Sequence, residues 1–251
     1  MYTEEDAAGH PIIGVAIPCR NDAGFLRVCL SALKNQTRPP DFVVVVDNAS
    51  EDDSPSVARS GGAILLHQPQ IGIWPAAAMA YDEVAERGAD IIARVDTDSV
   101  PPANWIERIE NAFLEDPTLG AISGMGDFYG GPPIRRWLGQ KFYLGAMSPI
   151  MTPWLGQPVV FGSNFAMRTE LWLKLRDRVL SDRADIHDDL DLSIRMRPSD
   201  NIVFDETLRV GVSARPFATP AALGSRLAKA LRTFAASWPE ANPIRRRREE
   251  R

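Results

Sequence analysis

Phe42-Val-Val-Val-Val-Asp-Asn-Ala-Ser50 is the stretch on which the fold turns. Five apolar residues in a row leave no polar face for water, so the run reads as a strand buried on both sides. Such strands belong to parallel sheets covered by helices. Three further runs follow the same rule: Ile12-Ile-Gly-Val-Ala-Ile17 before it, then Ala63-Ile-Leu-Leu66 and Ile91-Ile-Ala-Arg-Val95 after it. Helical patterns separate them at about Phe25–Lys34, where Phe25, Leu26, Val28, Cys29 and Leu33 share a face, at Asp53–Ser60 and at Pro75–Arg87. The repeated alternation of strand and helix predicts an α/β domain with a mostly parallel central sheet flanked by helices.

Beyond Pro101 the pattern loosens. A helix is expected over about Ala103–Leu114, bounded by Pro101-Pro102 and Asp116-Pro117, with Trp105, Ile109 and Phe113 on one stripe. Gly124, Gly126, Gly130 and Gly131 predict a loop-rich region. Further helices are expected near 134–147, from Thr169 and from Asp188. There is no internal repeat and no Ser/Gly linker, so the 251 residues read as one domain with a less regular second half.

A hydrophobic fraction of 45% excludes intrinsic disorder, and two cysteines exclude a cystine scaffold. Cys19 and Cys29 read as reduced core residues. Met1–Asp6 is acidic where a secretory signal would be positive, and the expected location is cytoplasmic. The uncharged segment Phe142–Met167 is broken by Pro149, Pro153 and Pro158 into pieces too short to cross a bilayer. The net charge of −5 is unevenly spread: residues 1–206 carry 18 basic and 30 acidic side chains, residues 207–251 carry 10 and 3. The acidic body suits cations rather than duplex nucleic acid.

In an open parallel sheet, ligands sit at the carboxyl ends of the strands. Those ends here read Pro18-Cys-Arg-Asn-Asp22, Asp47-Asn-Ala-Ser50 and Asp96-Thr-Asp98, which bring carboxylates from three strands to one rim. Two carboxylates spaced i, i+2 after a strand can converge on one hard divalent cation, Mn2+ or Mg2+, whose shell is completed by water and substrate phosphates. Farther on, Asp188, Asp189 and Asp191 crowd into Ile186-His-Asp-Asp-Leu-Asp-Leu-Ser-Ile-Arg195. They read either as helix caps, favoured by the dipole, or as a cluster whose mutual repulsion raises a carboxylate pKa toward that of a general base. Arg195, a turn after Asp191, is an internal partner in either case. His187 reads as a metal or diphosphate contact, or as a capping residue.

Taken together, these motifs resemble those of family 2 glycosyltransferases of the GT-A fold. Pro18-Cys-Arg-Asn-Asp22 stands for the family's Pro-x-Tyr-Asn-Glu, and Val46-Asp-Asn-Ala-Ser50 is similar to its second nucleotide-contacting strand end. Val95-Asp-Thr-Asp98 looks like its metal motif, Phe161-Gly-Ser-Asn-Phe-Ala-Met-Arg168 like its acceptor-side segment, and Asp188–Arg195 like its Glu-Asp-x-Asp-Leu-x-x-Arg. The resemblance implies a GT-A domain with a nucleotide-sugar-binding half at 11–100, an acceptor and catalytic half at 101–212 and a basic amphipathic segment at 213–251. It implies that Pro18, Arg20, Asn21, Asp22, Asp47 and Asp96 contact the nucleotide of a UDP- or GDP-sugar. Asp98, with Asp96, would hold the cation on the diphosphate. Asp189 would be the base, Asp188 and Asp191 would shape the site, and Gly162, Asn164 and Arg195 would join Asp191 on the sugar or acceptor side. The reaction implied is transfer of one sugar, with inversion, to an acceptor hydroxyl on a glycan, a lipid-linked sugar or a small molecule.

Arg20 departs from the family's Tyr, and Trp74-Pro-Ala-Ala-Ala78 stands where Asn residues are frequent. The Gln-x-x-Arg-Trp motif of processive members is absent. Two rivals remain at this level. Asp96-Thr-Asp98-Ser-Val100 also resembles the phosphatase motif of haloacid dehalogenases, though it follows three strands here and neither Lys141 nor Lys174 has a fitting context. A catalytically inactive nucleotide-sugar-binding protein is the other. In the tail, Leu223, Leu227, Leu231, Phe234 and Trp238 fall at helical spacing beside Arg226, Lys229 and Arg232, with Arg245–Arg248 after them. Such a helix either lies on an anionic membrane, giving a peripheral contact through 220–251, or packs on its own domain.

Overall fold

The computed structural model describes residues 9–138, 151–215, 219–238 and 240–249. Its strands are β1 (Ile13–Cys19), β2 (Phe42–Asp47), β3 (Ile64–His67), β4 (Ile91–Arg94), β5 (Ser99–Val100), β6 (Ala121–Tyr129), β7 (Phe165–Arg168) and β8 (Ile202–Ser213). The helices are α1 (Ala23–Lys34), α2 (Ser54–Ser60), α3 (Ile73–Glu86), α4 (Trp105–Glu115), α5 (Pro133–Leu138), α6 (Thr169–Leu175), α7 (Asp188–Arg195), α8 (Pro220–Ala236) and α9 (Pro243–Glu249). All eight strands form one sheet, ordered β3-β2-β1-β4-β7-β6-β8-β5.

The first four strands pair in parallel, with Val15 opposite Val43 and Val45 opposite Leu65. Strand β1 and most of β2 and β4 are buried, because helices cover both faces of the sheet. On one face α3 and α6 bring Trp74, Tyr81 and Trp172 together as an aromatic cluster, with Tyr81 and Trp172 centroids 5.0 Å apart. On the other, α1 and α4 bury Leu26, Leu33, Trp105 and Ile109. The apolar periodicity that predicted these helices is the face they bury.

From β4 the sheet changes character. Strand β7 runs antiparallel to β4 and β6, β8 runs parallel to β6, and short β5 closes the edge antiparallel to β8. The glycines at 124 and 126, expected to mark a loop, lie inside β6 instead. Gly124 permits a close approach rather than a turn: a Cβ there would meet the Leu208 carbonyl oxygen at 1.9 Å. The β6–β8 register shifts between Gly124 and Gly126, an irregularity that bends the pair. Gly130 and Gly131, both at positive φ, do mark the turn that follows. The helix expected near 134–147 is seen as α5; its continuation past 138, and residues 142–150 of the uncharged segment, lie outside the described residues.

Helix α8 splits the expected stripe. Its buried positions include Thr233, and Phe234 leans half-buried on Trp154. Leu227 and Leu231 point to solvent. Among the described residues no helix is long and apolar enough to cross a membrane.

Candidate active site

Strand β4 is apolar except for its last residue, Arg94, which is 1% exposed. Its Nη1 donates to the Tyr81 hydroxyl at 2.6 Å and to Asp188 Oδ2 at 2.9 Å, while Nη2 donates to Asp96 Oδ1 at 2.7 Å. Buried charge of this kind persists only where it is paired, because desolvation otherwise outweighs Coulomb attraction. One guanidinium therefore links the strand-end acid Asp96 to the first acid of α7. Gly162 lies over it, where a Cβ would stand 3.2 Å from Nη2.

After β4 the chain turns through Asp96-Thr97-Asp98: Ser99 N donates to the Asp96 carbonyl at 3.0 Å, and Asp96 N donates to Ser99 Oγ at 3.2 Å. The turn leaves Asp98 free of Asp96's partner. Asp98 meets Arg215 from the end of β8 at 3.1 Å, and the same guanidinium reaches Asp22 at 2.7 Å and lies 4.0 Å over the Phe25 ring. Thr97 Oγ1 also donates to Asp22. Burial and the nearby Asp96 charge push the Asp98 carboxyl up to about 6, against the pull of Arg215.

The three acids of α7 have separate destinations, and none caps the helix through its side chain in the usual way. Asp188 is buried on Arg94; burial works against its charged form, but the guanidinium outweighs it and holds the carboxyl below the usual range. Asp189 Oδ2 accepts from Gly162 N at 3.3 Å and Oδ1 from Leu190 N at 2.8 Å. Burial, then the charge of Asp188, raises its pKa. Asp191, 0% exposed, accepts from Trp74 Nε1, Leu180 N, Ser237 Oγ and Arg195 Nη2 at 2.7–3.1 Å.

These elements surround a cavity of about 690 Å3. Pro18, Arg20 and Asp22 line it from the β1 end, Asp96 and Asp98 from the β4 turn, and Gly162 and Asp189 beside the Arg94 guanidinium. The remaining predicted residues stand behind this wall. Asn21 ties the first two strand ends together, donating to Ser50 Oγ and accepting from Glu51 N. Asp47 is buried beside His67, and its neighbour Asn48 lines the cavity in its place. Asn164 is fully buried, accepting from Trp105 Nε1 and donating to the Met125 and Leu208 carbonyls. Asp188 is sealed on Arg94, and Arg195 is spent on Asp191 and Glu240. His187 is also engaged, its Nε2 3.0 Å from the Arg226 carbonyl.

Sequence reasoning did not single out Arg94, Tyr81, Thr97 or Arg215. The one signal in the chain was Arg94 itself, a charge inside an apolar run that had to be buried. Arg215 and Thr97 carried none, because their partners Asp22 and Asp98 stand 75 to 193 residues away along the chain.

Two carboxylates on one turn fit a hard cation completed by phosphate oxygens and water. Asp98 is under-compensated, with Asp96 beside it and one shared guanidinium against it. Among the described residues no group of three Asp, Glu, His or Cys could hold an ion unaided. The donor set thus fits a divalent ion that arrives with a phosphorylated ligand rather than an all-protein cage.

The mostly parallel, helix-wrapped sheet places the protein in the GT-A fold class. Residues 14–175 match the model of glycosyl transferase family 2, and the chain belongs to that family. Glycosyltransferase AglE of Haloferax volcanii is 33% identical over 130 residues, covering 48% of this chain and 39% of that protein. The chain therefore matches well under two thirds of this relative's length. Among solved structures, mannosyltransferase PcManGT from Pyrobaculum calidifontis, in complex with GDP-Man and Mn2+, superposes with a TM-score of 0.64 at 23% identity, over 94% of this chain and 68% of that one. Glucosyl-3-phosphoglycerate synthase from Mycobacterium tuberculosis, with Mn2+ and UDP-glucose, gives 0.63 at 19% identity, over 93% and 81%.

Proposed function

We propose that the protein is an inverting, non-processive glycosyltransferase that moves one sugar from a UDP- or GDP-sugar to an acceptor hydroxyl. The observation that carries this reading is the cavity itself, whose wall holds Asp96 and Asp98 together with the raised-pKa carboxylate of Asp189. Asp98, with Asp96, would hold the divalent cation, Mn2+ or Mg2+, which when bound neutralises charge on the departing diphosphate. Arg215, already between Asp22 and Asp98, adds a second positive charge on that side.

Pro18, Arg20 and Asp22 form the nucleotide end, with the exposed Arg20 guanidinium offered to the base as a stacking plane in place of an aromatic ring. Asn48, which lines the cavity at the second strand end, faces the nucleotide there, with buried Asp47 behind it. Asp189 takes the acceptor's hydroxyl proton as the oxygen attacks the anomeric carbon from the face opposite the diphosphate. That direct displacement inverts the centre. Gly162 N orients the base, and Asp188, neutralised by Arg94, keeps its charge close enough to raise Asp189 without competing for the proton. Single transfer fits the lack of a Gln-x-x-Arg-Trp motif.

A panel of nucleotides titrated calorimetrically with and without Mn2+ tests the reading. UDP or GDP should bind, and more tightly with Mn2+. Turnover of p-nitrophenyl phosphate with no nucleotide binding would replace it with a phosphatase; nucleotide binding without donor hydrolysis or transfer would leave only a binding protein.

A further inference from the structure

Helix α8 carries apolar residues on two faces, one packed on its own domain and one left open. Leu227 and Leu231, one turn apart, are 63% and 64% exposed, and Trp238 just past the helix end is 52% exposed. The face turned to the protein carries Ala230 and Phe234, packed on the core beneath, with Thr233 buried and Arg226 and Lys229 at the cavity. A helix that only packed on a soluble domain would present charge, not leucines, on its outer face. The inward cations have a place to go: Arg226 and Lys229 line the cavity that Asp189 lines. His187, two residues before the base, is bonded to this helix through the Arg226 carbonyl and Thr233 Oγ1. The helix is therefore at once a wall of the site and an unpartnered apolar ridge.

We propose that this ridge docks the protein on an anionic lipid bilayer, and that the acceptor entering between Arg226, Lys229 and Asp189 is a lipid with an anionic headgroup. Charge decides against a second copy of the chain as the occupant. Arg232 flanks the leucines in the open and Arg245 is exposed beyond the helix end, so two copies joined here would set like charge on like. A bilayer with acidic lipids supplies both the apolar depth for leucines and the opposite charge, and Trp is favoured at its interface. The docking half of the proposal is independent of the reaction; the acceptor half rests on the glycosyl-transfer reading.

Flotation with phosphatidylcholine vesicles containing about 30% phosphatidylglycerol, against phosphatidylcholine alone, is the test. The wild type should float only with the acidic vesicles. Leu227→Ser with Leu231→Ser should lower partitioning about 10-fold or more, while melting temperature and nucleotide affinity stay unchanged. With the donor found by the nucleotide panel, label should pass into the organic extract of the vesicles. Failure of the wild type to float, flotation of the double variant like the wild type, or a wild-type dimer that the variant splits would each overturn docking. Label recovered only in the aqueous phase would overturn the lipid acceptor. Flotation without any nucleotide binding would instead sink the glycosyl-transfer reading and leave docking standing.

Discussion

Before Pro101, parallel strands end in the groups that line the cavity, and the core behind them is largely apolar: Ile13, Val15, Val44, Val46 and Ile92 are all buried, with Arg94 and Asp47 the charged exceptions. After Pro101, strands of mixed direction are joined through buried polar centres: Asn164 between β6, β8 and α4, Asp191 between α3, α7 and the end of α8, and Arg246 on the Leu155, Ile194 and Met196 carbonyls. The difference is one of directionality. Apolar burial is roughly proportional to area and degrades gradually, whereas a buried ion or amide left without its partners bears the full desolvation penalty. The first half should therefore tolerate small changes in its core, and the second half should fail at single atoms.

The largest effect is expected at Asp189. Asp189→Asn should lower transfer by about 10²–10⁴-fold with nucleotide affinity within about two-fold, because only the base is lost. In the wild type, single-turnover transfer should fall on acidification through a pKa above the ordinary carboxylate range, and that limb should vanish in the variant. Retained transfer would move the base elsewhere on the cavity wall.

Next comes the buried centre behind it. Asp191→Ala strands Trp74 Nε1, Leu180 N, Ser237 Oγ and the Arg195 guanidinium together, and should cost about 3–5 kcal/mol in urea unfolding. A cost below 1 kcal/mol would erase the contrast between the halves.

Asp98→Asn should act in the opposite direction. The folded carboxyl titrates near 6 against 3.8 ordinarily, so between those values the folded protein holds a proton that the unfolded chain has released. Its contribution is intact below about pH 4 and is lost as pH rises through 6. Without nucleotide or metal, the variant should be more stable than wild type by about 1–3 kcal/mol at pH 8 and no more stable at pH 4. Loss of stability at pH 8 would mean that the pair with Arg215 outweighs the crowding. The smallest change is expected for Ile13→Val in the apolar half, about 0.5–1.5 kcal/mol; a cost rivalling that of Asp191→Ala would break the comparison from the other side.

Legibility followed the same division. The four parallel strands and their helices stood in the sequence because continuous apolar runs and 3.6-residue stripes are local signals. β6, β7 and β8 did not, since Gly124 looks like a turn until Leu208 is brought against it. Of the candidates on strand ends, Pro18, Asp22, Asp96 and Asp98 line the cavity. Asn164, Asp191 and Arg195, candidates by motif, are buried away from its lining, a placement that residue type does not reveal.

By itself the sequence determined an α/β sheet with acids on its strand ends and a charged, leucine-bearing tail, because periodicity and strand order are properties of neighbours along the chain. Tertiary structure alone decided which of seven candidate aspartates face the cavity, that Arg94 binds Asp96 to Asp188 and Arg215 binds Asp22 to Asp98, and that α8 turns its leucines outward. Charges separated by tens to hundreds of residues meet only when the sheet is assembled, and a helix's inward face is chosen by what it lands on.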